Sequence, residues 1–272
     1  MGTDATLSPL REHQLRVLEI LKVFDQICRE NQIRYFLIGG SALGAVRHQG
    51  FIPWDDDIDV GVPRRDYDKL ERIMLSKKFA NIQYRGVTNV AGSCGPISFM
   101  FESNDPLATK DGRPCVDVHP LDGVPNAKWL QVVQKYFSYL YHIGMRKEVS
   151  RRRGRMALIV SEIYLQCVPG FANTLMREMG KFVTTMWDYD RSVLIANIFG
   201  AAKYRKEVMP LAWMGVGKKV DFEGGRYPAP EMTHEYLGHL YGKYMELPPA
   251  MDRRPKHVVE GLMVESSKEK WV

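Results

Sequence analysis

The sequence predicts a mixed α/β fold of the α+β type, in which a sheet is flanked by helices and joined to an additional helical region. Three observations lead to this prediction. Short β-rich runs alternate with helical patterns over residues 1–125. One of these runs ends abruptly in Gly39-Gly40 and leads into a helical pattern. From Ala127 to about Asp188 the pattern turns helical, with interruptions at a basic run and at Pro169-Gly170.

The individual elements follow from local signals. Ser8-Pro9 begins the first helix, since proline suits the first helical position, and apolar residues on one face continue it to about Asn31. The β-rich run at 35–38 is the first strand, and a short helix is predicted at 42–48. Pro63 begins a further helix. The remaining predictions are strands at 58–62, 82–87, 97–102 and 115–118, and a helix at 231–241.

The chain shows no internal repeat and no low-complexity linker. The simplest division has three parts. Residues 1–125 form one catalytic α/β unit, residues 126–195 form a helical elaboration with a basic patch, and residues 196–272 return to pack on the core. A chain of 272 residues is long enough to bury a substantial core in this way.

The charge is concentrated rather than spread. The stretch from Arg146 to Arg155 holds six basic residues and one acid, Glu148, which accounts for five of the net six positive charges. A nucleic-acid-binding protein usually spreads basic charge over a docking face, so we predict no nucleic-acid partner. A single patch suits an anionic membrane surface or an anionic substrate, although a solvated basic loop is the simpler alternative.

The cysteines, the N-terminus and the longest apolar stretch indicate the cellular compartment. Cys28, Cys94, Cys115 and Cys167 are far apart and form no CxxC pair, which suits a reducing compartment. The N-terminus lacks the pattern of a signal peptide, and the apolar stretch 156–168 is too short and too polar to span a bilayer. We therefore predict a cytoplasmic protein, with a peripheral position on the cytoplasmic face of the membrane if the basic patch binds lipid.

Gly39, Gly40 and Ser41 form the first chemical signal. A strand that ends in Gly-Gly-Ser and leads into a helix lets backbone N–H groups approach phosphate oxygens without obstruction by a Cβ atom, and the helix dipole favours the same anion. Gly-Gly-Ser by itself is more often a plain turn. We predict that these three residues bind phosphate.

Asp57 and Asp59 form the second signal. Side chains at positions i and i+2 of a strand point to the same face, so both carboxylates can bind one divalent ion. Oxygen ligands of this kind suit Mg²⁺ or Mn²⁺. An Asp-x-Asp strand is more often a solvated edge, but its combination with the preceding Gly-Gly-Ser is rare by chance. Asp55 and Asp56 are predicted to be solvated or to support the site from behind.

The motif from Leu37 to Gly61, LIGGSALGAVRHQGFIPWDDDIDVG, resembles the LicD family of the nucleotidyltransferase superfamily. That family includes bacterial phosphocholine transferases and, more distantly, the fukutin-related ribitol-phosphate transferases. VDVHPLDGVP at 116–125 is similar to the second motif of the family, and YLGHLYGKYMELPP at 236–249 with His257 is similar to its C-terminal motif. The resemblance implies a nucleotidyltransferase-like catalytic core in residues 1–125.

The resemblance also implies roles for residues outside the first motif. Asp117 would complete the metal site or take the proton from the acceptor hydroxyl, and both roles stay open. His119 departs from the family pattern, in which we expect an aromatic residue, usually Phe. The cysteine-rich zinc insertion of the animal relatives is absent from the sequence. Asp122 is expected to begin an Asp-Gly turn.

Two sets of flanking residues are predicted to bind the donor. Arg47 and His48 follow the Gly-Gly-Ser segment and could neutralise the diphosphate, although a surface position is an equal alternative. The faces of Trp54, Tyr236 and Tyr241 could hold a quaternary ammonium, although aromatic residues more often belong to the core. These assignments depend on the resemblance.

The implied activity is transfer of phosphocholine from CDP-choline to a hydroxyl of a lipid-linked cell-surface glycan precursor of the teichoic acid or lipopolysaccharide type, with release of CMP. One alternative keeps the chemistry but uses CDP-ribitol, CDP-glycerol or another nucleotide donor. A second alternative is a nucleotide-binding module without catalysis. The presence of Asp57, Asp59 and Asp117 argues against that module.

Overall fold

The computed structural model describes residues 7–77, 79, 82–86, 97–102, 114–146 and 168–255. Within these residues the main sheet has seven strands. Its path is β1-β2-β5-β4-β3, and β5 pairs in addition with β6, which pairs with β7. The strands are β1 (Phe36–Leu37), β2 (Ile58–Pro63), β3 (Ile82–Arg85), β4 (Ser98–Glu102), β5 (Cys115–Val124), β6 (Leu194–Ala196) and β7 (Val208–Pro210). A separate hairpin pairs β8 (Lys218–Phe222) with β9 (Gly225–Ala229).

Helices precede, flank and follow this sheet, which confirms the predicted mixed α/β class. They are α1 (Pro9–Glu30), α2 (Gly39–His48), α3 (Arg64–Ser76), α4 (Lys128–Arg146), α5 (Gly170–Thr185), α6 (Tyr204–Glu207) and α7 (Thr233–Tyr241). The predicted division into three parts stays a prediction. Residues 147–155 of the basic run, together with Cys94, Cys167 and His257, lie outside the described residues.

The centre of the sheet is the parallel pair β2 and β5. Ile58, Val60, Val116 and Val118 are fully buried, as expected for strands covered on both faces. The register places Asp59 opposite Asp117. Two predicted site carboxylates therefore lie side by side on neighbouring strands.

Helix α1 begins as the sequence predicted, because the side chain of Ser8 accepts a hydrogen bond from the backbone N–H of Arg11. Its buried face also supports the loop before β2. Gln14 donates to the carbonyl oxygen of Asp55 over 2.8 Å, and His13 Nε2 lies 2.8 Å from the carbonyl oxygen of Asp56. These long-range contacts fix the backbone that carries the acidic motif.

Helices α4 and α5 form an antiparallel pair. The backbones approach so closely at Gly180 that a Cβ atom there would lie 2.8 Å from the backbone nitrogen of Tyr141. Gln134 Nε2 donates to the carbonyl oxygens of Gly123 and Thr184, both over 2.9 Å, and so ties the pair to the end of β5.

One local prediction is wrong. Asp122 does not begin a turn, since β5 continues to Val124. Its carboxylate is fully buried and accepts two hydrogen bonds from Arg64, over 2.6 and 2.7 Å. This paired guanidinium explains how the strand buries an acidic residue that usually marks a turn.

Candidate active site

Gly39 begins helix α2, three residues earlier than the predicted start at residue 42. Its φ angle of 54° lies in the left-handed region that glycine tolerates best. A Cβ atom at this position would lie 3.4 Å from Asp59 Oδ2 and 3.7 Å from the hydroxyl of Tyr241. Glycine thus places the start of the helix directly beside the acidic strand.

Ser41 connects the same turn to β2. Its hydroxyl accepts a hydrogen bond of 2.8 Å from the backbone N–H of Asp59, and the backbone N–H of Gly39 donates to the hydroxyl of Tyr236 over 2.9 Å. Gly40 is buried between these two residues. The Gly-Gly-Ser segment therefore fixes Asp59, and its predicted phosphate binding stays a prediction.

Asp59, Asp117 and His119 meet at the centre of the sheet. Each offers one ligand atom, and these atoms all lie within 4.8 Å of one another. Two carboxylates and one imidazole form a donor set that fits a divalent cation such as Mg²⁺ or Mn²⁺, with the oxygens favouring the harder ion.

Asp57 is placed differently from the expected shared site. It precedes β2 and groups with Asp55 and Asp56, whose carboxylates also come within 4.8 Å of one another. All three side chains are buried, so Asp55 and Asp56 are not solvated. The predicted binding of one ion by Asp57 and Asp59 together stays a prediction.

The pKa of the Cys115 thiol is affected by all three predicted site carboxylates. Burial raises its pKa most strongly, and the negative charges of Asp117, Asp57 and Asp59 raise it further. The thiol donates to Asp117 Oδ1 over 3.3 Å. Asp57 is therefore close enough to contribute to the same negative field.

His119 is held from both sides. Its Nε2 lies 3.1 Å from Asp59 Oδ1, and its Nδ1 lies 3.4 Å from Asn197 Nδ2. Burial lowers the pKa of His119, but the hydrogen bond with Asp59 and the charges of Asp59, Asp117 and Glu207 raise it above its ordinary value. If Asn197 donates to Nδ1, the Nε2 proton is directed at Asp59, and in this tautomer His119 orients Asp59 instead of binding an ion.

Glu207 lies behind His119. It is buried, and burial raises its pKa to about 7 although the N–H of Ala202 donates to its carboxylate over 3.0 Å. Neither Glu207 nor Asn197 was found from the sequence, because each comes from a distant segment without a motif. The departure of His119 from the family pattern was the one feature of the sequence that pointed to this part of the site.

Arg47 and His48 lie at the end of α2, at the C-terminal segment. Arg47 donates to the carbonyl oxygen of Tyr244 over 3.0 Å and to His48 Nε2 over 2.9 Å. Burial and the charge of Arg253 lower the pKa of Arg47. In this arrangement Arg47 holds residues of the C-terminal segment, and its predicted contact with phosphate stays a prediction.

The predicted aromatic residues divide into two places. Tyr236 and Tyr241 lie beside Gly39, where Tyr236 is buried and Tyr241 is exposed to solvent. Trp54 packs edge-on against His48, and the guanidinium carbon of Arg253 lies 5.6 Å from the centre of its ring. A cationic side chain of the protein itself therefore lies against the ring of Trp54, and the predicted contact of Trp54 with choline stays a prediction.

Comparison with known proteins covers the part of the sequence that forms this site. Residues 32–138 match the family model described as LicD/FKTN/FKRP, nucleotidyltransferase domain. Residues 32–138 are therefore similar to the nucleotidyltransferase domain of the LicD family. The matched region extends from the residues before β1 into α4, so it contains Gly39, both acidic groups and His119.

Individual relatives match over very different lengths. The chain is 29% identical over 266 residues to lipopolysaccharide cholinephosphotransferase LicD from Haemophilus influenzae, covering 94% of this chain and 98% of that protein. It is 41% identical over 54 residues to the human ribitol 5-phosphate transferase FKRP, covering 20% of this chain and 11% of that protein. An uncharacterized protein from Rickettsia prowazekii is 40% identical over 60 residues, covering 22% and 23%.

None of the helices in the described part of the chain is both long enough and apolar enough to cross a membrane.

Proposed function

We propose that this protein transfers phosphocholine from CDP-choline to a hydroxyl of a glycan and releases CMP. The observation that carries the proposal is the meeting of Asp59, Asp117 and His119 beside the glycine that begins α2. The near full-length similarity to a lipopolysaccharide cholinephosphotransferase supports both the reaction and the choline donor.

A divalent cation fits the donor atoms of this site. Asp59, Asp117 and His119, or the two carboxylates with Asp57, would hold it, and the bound ion would neutralise charge on the donor diphosphate. Mg²⁺ or Mn²⁺ is the ion we propose, since carboxylate oxygens dominate the set.

Residues of the protein itself would orient the donor and accept the proton of the acceptor hydroxyl. The N-terminal end of α2 would orient the diphosphate through its dipole and the backbone N–H of Gly40, since the N–H of Gly39 donates to Tyr236. The acceptor hydroxyl loses its proton, its oxygen forms a bond to the phosphorus that bears choline, and the bond from that phosphorus to the CMP oxygen breaks. Asp117 takes the proton if it does not bind the ion.

Residues other than the metal ligands would select the alcohol of the donor. A trimethylammonium group cannot donate hydrogen bonds and is best held by aromatic faces. Tyr241 beside Gly39 and Trp54 beside His48 offer such faces. The local similarity to a ribitol 5-phosphate transferase favours CDP-ribitol as the second candidate donor.

Release of CMP from purified protein with Mg²⁺ tests the proposal. CDP-choline, CDP-ribitol, CDP-glycerol and CDP-ethanolamine are compared at equal concentration. We expect CDP-choline to react at least tenfold faster than the other three. A clear preference for a polyol donor would overturn the phosphocholine assignment without affecting the metal site.

The surroundings of the reaction are part of the proposal. We infer a lipid-linked glycan of the lipopolysaccharide or teichoic acid type as acceptor, and a cytoplasmic enzyme that reaches this acceptor from the inner face of the membrane. Transfer of radiolabelled choline phosphate to a membrane glycolipid fraction, compared with a water-soluble glycan, tests the acceptor class.

A further inference from the structure

An apolar stripe runs along the solvent-facing side of α5 for the whole length of the helix. Residues on this side recur every three or four positions, which places them on one face. They are Phe171, Leu175, Met179, Phe182 and Met186, the last directly after the helix, and all are exposed. The opposite side of the helix carries the buried Gly180 and Thr184, which pack against α4. We call the five exposed residues the α5 face.

This pattern differs from ordinary surface hydrophobicity. Single exposed apolar residues are common in soluble proteins, whereas a continuous stripe marks an interaction surface. Phe171 is 81% exposed and Phe182 is 67% exposed, so the large rings face solvent almost fully. The neighbouring helix α4 adds exposed apolar residues at helical spacing, namely Trp129, Val132 and Tyr136.

The charges around the α5 face are basic on balance. Lys181 is exposed next to Phe182, and Lys135 lies over the rings of Tyr136 and Tyr139 at 5.8 and 5.9 Å. The acid within the helix, Glu178, pairs with Arg177 at 3.1 Å. The sequence between α4 and α5 carries Arg151, Arg152, Arg153 and Arg155.

We propose that the α5 face binds the surface of an anionic lipid bilayer, with the helix lying in the plane of the interface. An apolar face with aromatic residues, flanked by lysines, is typical of helices that insert shallowly among lipid headgroups. The lysines of α4 and α5, and the arginines that lie between the two helices in the sequence, are complementary in charge to anionic headgroups. The choice of lipid rests on the proposed function, since a lipid-linked glycan lies at that surface.

A second copy of the chain is less favourable as the occupant. Pairing two α5 faces would bring together the same basic groups in a protein whose net charge is already +6, and like charges repel. An anionic bilayer covers the same apolar side chains and neutralises these charges at the same time.

Vesicle sedimentation tests the proposal. The protein is mixed with vesicles of phosphatidylcholine alone, or with vesicles in which roughly 40% of the lipid is phosphatidylglycerol. The anionic lipid gives the second set of vesicles a negative surface potential. The test variant combines L175Q, M179Q and F182Q. The control variant combines V216Q and M251Q, which replace residues that are 93% and 72% exposed elsewhere on the protein.

The wild type should bind the anionic vesicles at low salt, and added salt should weaken the binding. The test variant should bind at least tenfold more weakly, whereas the control variant should stay within about twofold of the wild type, since each removed apolar side chain lowers the partition energy. Hydrolysis of CDP-choline in solution should be unchanged in both variants. Failure of the wild type itself to hydrolyse CDP-choline would challenge the proposed function alone, because vesicle binding is measured separately.

Four outcomes would overturn the proposal. The first is that the wild type does not bind anionic vesicles, and the second is that the test variant binds them as well as the wild type does. Light scattering could show a wild-type dimer that the test variant dissociates, which would identify a second copy as the occupant. A large drop in the melting temperature of the test variant without any vesicle binding would instead show that the chain covers this face itself.

Discussion

His119 Nε2 lies 3.1 Å from Asp59 Oδ1, and this contact joins the two central strands of the sheet within the candidate active site. The register pairs His119 with Gly61, two positions beyond the pair of Asp59 and Asp117. A side chain at position 119 that can form a hydrogen bond can therefore orient the carboxylate of Asp59 on the neighbouring strand. Phenylalanine, which the family pattern led us to expect there, could not do so.

Replacing His119 tests this contact. His119→Phe keeps a flat ring but removes the hydrogen bond to Asp59, which is worth about 1.5–3 kcal/mol for a charged partner. We expect kcat for CMP release to fall roughly tenfold to a hundredfold. His119→Gln can still donate to Asp59, and we expect it to recover part of the loss.

The affinity for Mn²⁺ separates two roles of His119 in the same variants. A direct ligand should lose affinity in both variants, whereas a positioning residue should lose it in H119F and regain it in H119Q. Wild-type kcat in H119F would contradict any role for this contact in the reaction.

The acidic residues differ in how the structure groups them, and their replacement by Asn distinguishes the groups. Asp59 and Asp117 share one group with His119, whereas Asp57 lies with Asp55 and Asp56. We expect D57N and D59N each to retain less than about a tenth of wild-type turnover, since removing one charge weakens a divalent site strongly. Asp221, whose side chain is exposed in the β8–β9 hairpin, supplies the control variant D221N.

Calorimetric titration with Mn²⁺ shows whether these losses come from metal binding. If D57N retains wild-type turnover and affinity while D59N loses both, then Asp57 and Asp59 do not bind the same ion. For D117N, a fall in kcat with unchanged Mn²⁺ affinity would identify Asp117 as the base.

The buried pair of Arg64 and Asp122 should matter for stability rather than chemistry. Replacing Arg64 by Met leaves the fully buried carboxylate of Asp122 without its guanidinium, and breaking such a pair costs about 3–5 kcal/mol. Chemical denaturation measures this loss as a lower midpoint. The exposed ion pair of Arg226 and Asp221 is the control, and R226M should change stability by less than about 1 kcal/mol. Equal effects of the two variants would contradict the structural role of Asp122.

Local patterns predicted the parts of the molecule that are local in origin. The serine cap of α1, the junction from β1 into α2 and the acidic strand β2 all follow from residues adjacent in sequence. The failure at Asp122 has a physical cause, because an Asp-Gly pair favours a turn unless a distant partner such as Arg64 stabilises the buried carboxylate.

The shell behind the active site could not be predicted in this way. Asn197 reaches His119 across 78 positions of the sequence, and Glu207 affects the same imidazole through its charge. Neither residue lies in a recurring spacing, so nothing local in the sequence indicates their place. Three-dimensional proximity alone reveals them.

Glu207 predicts a pH dependence of stability. Burial raises its pKa from the ordinary 4.5 to about 7, so between these values the unfolded chain releases a proton that the folded protein retains. The contribution of this group to stability is complete below about pH 4.5 and is lost as the pH rises to about 7. A shift of this size corresponds to a loss on the order of 3 kcal/mol. Glu207→Gln keeps an oxygen that accepts from the Ala202 N–H but cannot ionise.

Denaturation of the wild type and E207Q between pH 5 and pH 8, with EDTA present to remove metal, measures this effect. The stability of the wild type relative to E207Q should fall steadily up to about pH 7 and then level off. The comparison with E207Q subtracts most of the contribution of His119, since that residue is present in both proteins. Parallel stability profiles for the two proteins would show that Glu207 is ionised in the folded state throughout this range, and that the buried carboxylate behind His119 is a permanent charge.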